Sequence, residues 1–340
     1  MKNNLFTKIL KKAYQENRRL VAPLLGFPGL NMIGCNIKVS QQNYERHFQV
    51  IKAIADSFHP DIIFPLMDLS VEANALGHYT VFPENDSATV LKGETSLDDV
   101  LHFNDDINIE FDSRLLGYVE TLKLMNVGLP KDILKGAYVT GPYSLAALIL
   151  GAEEAAMSTV IAPEKLELLC QYTTKQIQKY INLLIAGGAD IICILEPSAV
   201  MLGAQQFEMF SSKYVSLINN SCKQNGIATI YHTCGNTMHL IDEMVASGVD
   251  GLSLDSKSAG VDLPAVAAEI SKDIAIIGNI SPTETMLNGC EKDVEMEVLD
   301  LLQKMEEFPN FVLSTGCDLP QDVPLRNIHA FMNTGKKYRI

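Results

Sequence analysis

His232-Thr233-Cys234 and the later Gly316-Cys317 bring one imidazole and two thiols into a single chain. Imidazole nitrogen and thiolate sulfur are the donors that zinc takes, and three protein ligands leave a fourth position open for chemistry. Residues i and i+2 of an extended segment point to one side, so His232 and Cys234 converge if they lie on a strand. On spacing alone a second reading stands level with this one. The thiols could be packed like small hydrophobes, with the histidine hydrogen-bonded beside them. Four carboxylates stand close to strand-like runs: Asp68, Asp190, Glu196 and Asp255. Asp68, Glu196 and Asp255 are the candidate catalytic groups, able to act as a general base, orient a ligand histidine or fill the fourth position. Any one of them could equally cap the turn that follows it. His239 is expected two turns into the next helix and outside the site. The glycines near the strand ends form no G-x-G-x-x-G and no P-loop, and no serine-centred elbow occurs.

The elements that must carry these residues can be read from eight apolar runs. They are Val21–Leu25, Asp61–Leu66, Gly136–Thr140, Asp190–Leu195, Ala228–Tyr231, Gly251–Leu254, Ile274–Gly278 and Phe311–Ser314. Short, nearly continuous apolar strands alternating with helical segments predict a parallel sheet covered on both faces. Eight of them predict an α/β fold, a (β/α)8 TIM barrel, as one domain over residues 1–340. Apolar Leu5, Ile9 and Leu10 among lysines predict an N-terminal amphipathic helical extension over residues 1–19. Ser281-Pro282-Thr283-Glu284 carries the cap, proline and acid of a helix start, and Pro163-Glu164 opens another. Between the second and third runs lies a long insertion, about residues 70–130. It is expected to hold a hairpin (Tyr79–Phe82 with Thr89–Lys92) and a helix (Ser113–Val127). A connection that long after a strand is expected to shape the barrel mouth.

Of 340 residues, 27 are Lys or Arg and 41 are Asp or Glu, for a net charge of −14. That balance disfavours a nucleic-acid partner, which requires a cationic surface. No apolar stretch reaches the ~18 residues of a membrane span, so no membrane role is expected. Arg18-Arg19 and Met32-Ile-Gly-Cys35 only loosely resemble export and lipidation signals. Seven cysteines form no compact framework and are expected to be reduced thiols, which places the protein in the cytoplasm.

Over nearly its whole length the chain resembles the uroporphyrinogen decarboxylase superfamily of (β/α)8 barrels. Thr140-Gly-Pro-Tyr-Ser-Leu145, Gly188-Ala-Asp190, His232-Thr-Cys-Gly-Asn236, Gly278-Asn-Ile-Ser281 and Gly316-Cys-Asp-Leu-Pro-Gln-Asp-Val-Pro324 carry the likeness. The His-x-Cys pair with the late Gly-Cys is similar to the zinc-dependent corrinoid methyltransferase branch, which includes the methylcobamide:coenzyme M methyltransferases. The resemblance implies Zn2+ on His232, Cys234 and Cys317, and a methylated corrinoid on a partner corrinoid protein as methyl donor. It also implies a small-molecule thiol such as coenzyme M as acceptor. The likeness to the decarboxylases is poorer: Leu24-Leu-Gly-Phe-Pro-Gly-Leu-Asn31 lacks the arginine with which they hold a polycarboxylate. Asp68 lies near the position of their catalytic aspartate, within a loosely matching Phe64-Pro-Leu-Met-Asp68. A decarboxylase of that type is one alternative, and a non-catalytic corrinoid-binding protein is another.

Overall fold

Each of the eight apolar runs contributes to a parallel strand in the computed structural model, which describes residues 4–91, 97 and 108–340, although the first run shares only Val21 with its strand. They are β1 (Leu20–Val21), β2 (Ile62–Ile63), β5 (Leu134–Thr140), β6 (Ile191–Leu195), β7 (Ala228–Thr233), β8 (Gly251–Leu254), β9 (Ala275–Ile280) and β10 (Phe311–Thr315). Their order is β1-β10-β9-β8-β7-β6-β5-β2, and each pairing is parallel. The two ends of that list meet at Asp61. Its amide donates to the Val21 carbonyl at 3.0 Å, and its carboxylate accepts the Val21 N–H at 2.7 Å. The sheet therefore closes into the expected (β/α)8 barrel.

The seam shows a device that recurs around the barrel. Asp190 at the start of β6 accepts the Lys135 N–H (2.8 Å), and Asp250 at the start of β8 accepts that of Thr229 (2.9 Å). In each case a carboxylate takes the place of a carbonyl where the neighbouring strand begins, so no N–H is left unpaired. Asp190 accordingly lies at the N-terminal end of its strand, far from the mouth, and not among the carboxylates of the site. Asp61→Ala removes the acceptor of a buried N–H and the partner of Arg18 (2.9 Å). The expected loss is about 2 kcal/mol of unfolding free energy, read from urea denaturation.

Side chains alternate between two cores. Leu20, Phe64, Tyr138, Cys193, Ile230 and Ile277 fill the barrel interior, while the opposite faces pack on the surrounding helices. The helix Leu5–Gln15 adds Phe6, Leu10 and Ala13 to the interior cluster, and Lys11 reaches Asp273, just before β9. This N-terminal helix thus plugs the bottom of the barrel and leaves the top face open to chemistry.

The hairpin of the insertion forms as β3 (Thr80–Val81) and β4 (Thr89–Val90), antiparallel, and its helix runs Ser113–Gly128. Lys92, the last residue expected in the hairpin, lies outside the described residues. The helix expected from Ser281 does not form. Ser281 Oγ does accept the Glu284 N–H at 3.1 Å, as a cap would. The following bonds, however, step five residues: Met286 N–H to Ser281 O and Asn288 N–H to Thr283 O, both 3.0 Å. The Ser281 amide and the Thr285 hydroxyl are drawn to Glu297, and the chain turns about that carboxylate until the helix Glu291–Lys304 begins. His239 likewise sits in a short 3-10 turn, Met238–Leu240, ahead of the helix Ile241–Ala246, with Nε2 at 3.2 Å from the Leu202 carbonyl.

Candidate metal centre

β7 ends in Tyr231-His232-Thr233, and strand alternation turns His232 inward at the mouth, where it is 1% exposed. Its register partner on β8, Ser253, places Oγ at 3.0 Å from Nδ1. That bond fixes the ring so that Nε2 faces Cys234 Sγ at 3.2 Å. Cys317, two residues beyond β10, brings Sγ to 3.3 Å from Cys234 Sγ and 3.9 Å from His232 Nε2. Among the described residues this is the one group of three or more His, Cys, Asp or Glu whose donor atoms lie mutually within 4.8 Å.

The donor set fits zinc. A tetrahedral ion with Zn–S and Zn–N bonds of ordinary length has ligand-to-ligand edges of roughly 3.5–3.8 Å, close to the triangle found here. The sulfur separation far exceeds a disulfide bond, and all seven cysteines are free thiols. The hydrogen bond with Cys234, together with burial, holds the Cys317 thiol well above its ordinary pKa. A divalent cation reverses that preference, because thiol ligands bind it deprotonated.

The candidate carboxylates surround this centre without joining it. Asp68 is bound by Arg114, by the Tyr118 hydroxyl (2.8 Å), and by the Ser70 amide (2.9 Å) and hydroxyl (2.7 Å). Glu196, fully buried, accepts the amides of Tyr143 (3.1 Å) and Ser144 (2.8 Å) and the Ser211 hydroxyl (2.9 Å). Burial pushes its pKa up to about 7 against the pull of those donors. Its backbone does touch the site, since the Glu196 N–H donates to the His232 carbonyl at 2.9 Å. Asp255 accepts the amides of Gly235 (2.7 Å) and Ser256 (2.6 Å).

Three further residues at the mouth carried no role in the sequence reading. Asp318 follows Cys317 directly, and burial raises its carboxyl to about 7. The only signal for it was its adjacency to a candidate ligand. Tyr138 on β5 stacks on Phe64 (4.6 Å between centroids, 17° between planes), and burial, with Asp318 and the cysteines nearby, holds its hydroxyl well above the usual pKa. In an apolar strand a tyrosine of this kind reads as core. Glu72 accepts both the amide (2.7 Å) and the hydroxyl (2.9 Å) of Thr140, and burial lifts it to about 7. A cleft of about 570 Å³ reaches Asp318, the residue after Cys317. It runs between the hairpin tip at Asn85, Asp86 and Ser87 and the loop Asp318–Asp322.

Comparison with known proteins agrees with this architecture. The chain is 26% identical over 245 residues to the methylcobamide:CoM methyltransferase MtbA of Methanosarcina acetivorans, covering 68% of this chain and 69% of that protein. It is 27% identical over 253 residues to the uroporphyrinogen decarboxylase of Prochlorococcus marinus, covering 67% and 71%. The structure of a methyltransferase from Methanosarcina mazei superposes with a TM-score of 0.88 at 20% identity, over 98% of this chain and 99% of that one. The uroporphyrinogen decarboxylase (URO-D) family model matches residues 30–338, and the chain belongs to that family.

Proposed function

We propose that this chain is a corrinoid-dependent methyltransferase. It takes a methyl group from a methylated corrinoid, carried on a corrinoid protein, and delivers it to a small-molecule thiol such as coenzyme M. The observation that carries the proposal is the convergence of His232, Cys234 and Cys317 at the mouth, with a zinc ion as the metal they would hold. A zinc ion bound there lowers the pKa of a thiol at its open position, so that a nucleophilic thiolate exists at neutral pH. The names of relatives alone do not choose between methyl transfer and decarboxylation, because both kinds match at similar identity. Asp68 does favour one of them. Its carboxylate is committed to Arg114, Tyr118 and Ser70, leaving it poorly placed to serve a porphyrinogen.

The chain's own residues supply orientation and access. Ser253 holds the His232 ring, and the Glu196 amide holds its carbonyl. The Phe64–Tyr138 stack, at the mouth end of the barrel interior, gives the site a rigid floor. Seven free thiols support a reducing compartment, the cytoplasm. No single helix among the described residues is long and apolar enough to cross a membrane.

The test is spectroscopic. Purified zinc-loaded protein should demethylate methylcobalamin, free or protein-bound, when a thiol is added, with coenzyme M and homocysteine tried in parallel. Loss of carboxyl groups from uroporphyrinogen, with no demethylation of either cobalamin form by any thiol, would overturn the proposal. The insertion gives a second measurement, because its hairpin tip walls the cleft that reaches Asp318 while the donors sit on or just past strand ends. Shortening the loop at Pro83–Ser87 should lower the transfer rate roughly tenfold or more and leave zinc content unchanged. Parallel loss of both would make the hairpin a structural element instead.

A further inference from the structure

We infer that a second binding site lies outside the metal centre, against Arg114, and that it takes a small molecule bearing a single carboxylate. A pocket of about 510 Å³ is bounded by the helices Ile37–Gln42, Tyr44–Phe58 and Ser113–Gly128 and by Phe82 of the hairpin. That volume is ordinary for a small-molecule site. None of its described lining residues belongs to the metal centre or to the cleft that reaches Asp318. The chain has 41 Asp and Glu, yet none of those lining residues is acidic, and Arg114 is the one cation among them.

The wall holds donors with nothing to donate to. Arg114, its side chain 7% exposed, engages Asp68 and Ser70 Oγ (2.9 Å) through Nη2. Its Nε and Nη1 are buried without a partner, and so is Nε2 of Gln41, a residue 3% exposed. A guanidinium keeps its charge at every working pH, and each buried donor left unpaired costs about 1–3 kcal/mol. An anion in the pocket would pair them. Two helices also begin here, one at Asn43 and Tyr44 and the other at Ser113. Their caps, Asn43 and Asp112, accept the amides of Arg46 (3.0 Å) and Leu115 (2.8 Å). The other first-turn amides have no partner within the helix, and both positive helix ends favour negative charge. His47 adds no charge of its own. Its Nε2 accepts the Leu66 N–H at 2.8 Å, which leaves the proton on Nδ1, and burial pushes its pKa down to about 3.

The class of anion follows from the charge already present. Asp68 neutralises Arg114 on its far side, so the pocket is rich in donors but has little net charge. A carboxylate brings one negative charge and two acceptor oxygens, which suits that balance. A dianion such as phosphate would bring a second charge toward Asp68 and be repelled. Phe82, half-buried, lies with its ring 4.7 Å from the guanidinium carbon. The unused N–H groups are closed to bulk water, and this ring is the cover that a ligand would move.

The experiment titrates glycolate into the intact protein and follows its carboxyl carbon resonance, with inorganic phosphate in parallel at a pH where it is a dianion. Glycolate should bind with a Kd on the order of 1 mM, within the reach of so small a ligand. Phosphate should bind roughly fivefold more weakly or worse. Gln41→Leu leaves the Arg114–Asp68 pair intact and should weaken glycolate roughly tenfold, the loss of one hydrogen bond to a charged group. Asp68→Asn should act in the opposite direction and tighten glycolate roughly tenfold, because it releases the charge of Arg114 to the ligand. Arg114→Met should abolish binding. If that variant fails to fold, the other two carry the test, since damage to the fold does not tighten a ligand. A zinc ion at the mouth can also hold a carboxylate, so the titration is repeated on the Cys234→Ser, Cys317→Ser variant, where the affinity should be unchanged. Loss of binding there would place glycolate at the metal centre and overturn the inference. No saturable shift in the wild type, wild-type affinity in Gln41→Leu, weaker binding in Asp68→Asn, or phosphate binding tighter than glycolate would each overturn it too.

Discussion

Replacing both Cys234 and Cys317 by serine is expected to yield protein that leaves purification without zinc, against about one equivalent in the wild type. Serine matches cysteine in shape, but its hydroxyl does not ionise near neutrality, so two of the three donors are lost and His232 alone remains. The barrel should survive the change. The sulfurs are only partly buried, and their contacts are with one another and with His232. At pH 7 the methyl transfer rate should fall more than about 30-fold, since an ordinary thiol of pKa about 8.5 is only ~3% thiolate there. The pH profile tells this cause from a general collapse of the site. Between pH 7 and 8.5 the residual rate of the variant should rise roughly 15-fold, because solvent then supplies the thiolate. Chelator-treated wild type should show the same rise, while the zinc-loaded enzyme should stay nearly flat. Zinc retained by the double variant would remove the basis of the proposal.

The barrel was legible because its signal is composition repeated at intervals: eight apolar runs, each with a helix to follow, allow few folds. His232 and Cys234 were legible for a related reason, as alternation along an extended segment decides which residues share a side, although β7 itself ends at Thr233. Their convergence with Cys317 required the closed sheet, which brings β7 and β10 to one mouth. The carboxylates were read less well. A strand-end aspartate looks the same in sequence whether it precedes the strand, as Asp190 does, or follows it, as Asp255 does. Even at the right end, its role depends on donors distant in the chain. Glu196 is occupied by Tyr143 and Ser144, more than fifty positions earlier. Ser281 shows a further limit: its cap was read correctly, but Glu297 captured the turn and no helix followed. The mouth residues that went unread, Tyr138 and Glu72, lie in apolar surroundings where local pattern suggests only core.

Asp68 bears on the choice between methyl transfer and decarboxylation proposed above, and its partner provides the means to test it. Its side chain is 1% exposed and that of Arg114 7%, so this is a buried ion pair, not a surface one. Arg114 comes from the insertion helix, and Phe82 of the hairpin lies over its guanidinium, 4.7 Å from carbon to ring centroid. Insertion, hairpin and the loop after β2 therefore meet at one charge pair. Removing one partner of such a pair leaves the other uncompensated in a poorly solvated place, at a cost of about 3–5 kcal/mol. Arg114→Met fills most of the volume and should lose about that much in urea denaturation. Adding Asp68→Asn should restore a large share, because an amide still accepts from Ser70 or Tyr118 and carries no charge. A double variant no more stable than Arg114→Met alone would show that the loss came from packing against Phe82 instead. If Arg114→Met unfolds as the wild type does, the carboxylate needs no partner. Asp68 would then be free to act as the decarboxylases use theirs, and the case against that chemistry would weaken. If stability falls and the second change restores it, Asp68 is a fastening for the insertion, and the mouth is left to the three donors at the ends of β7 and β10.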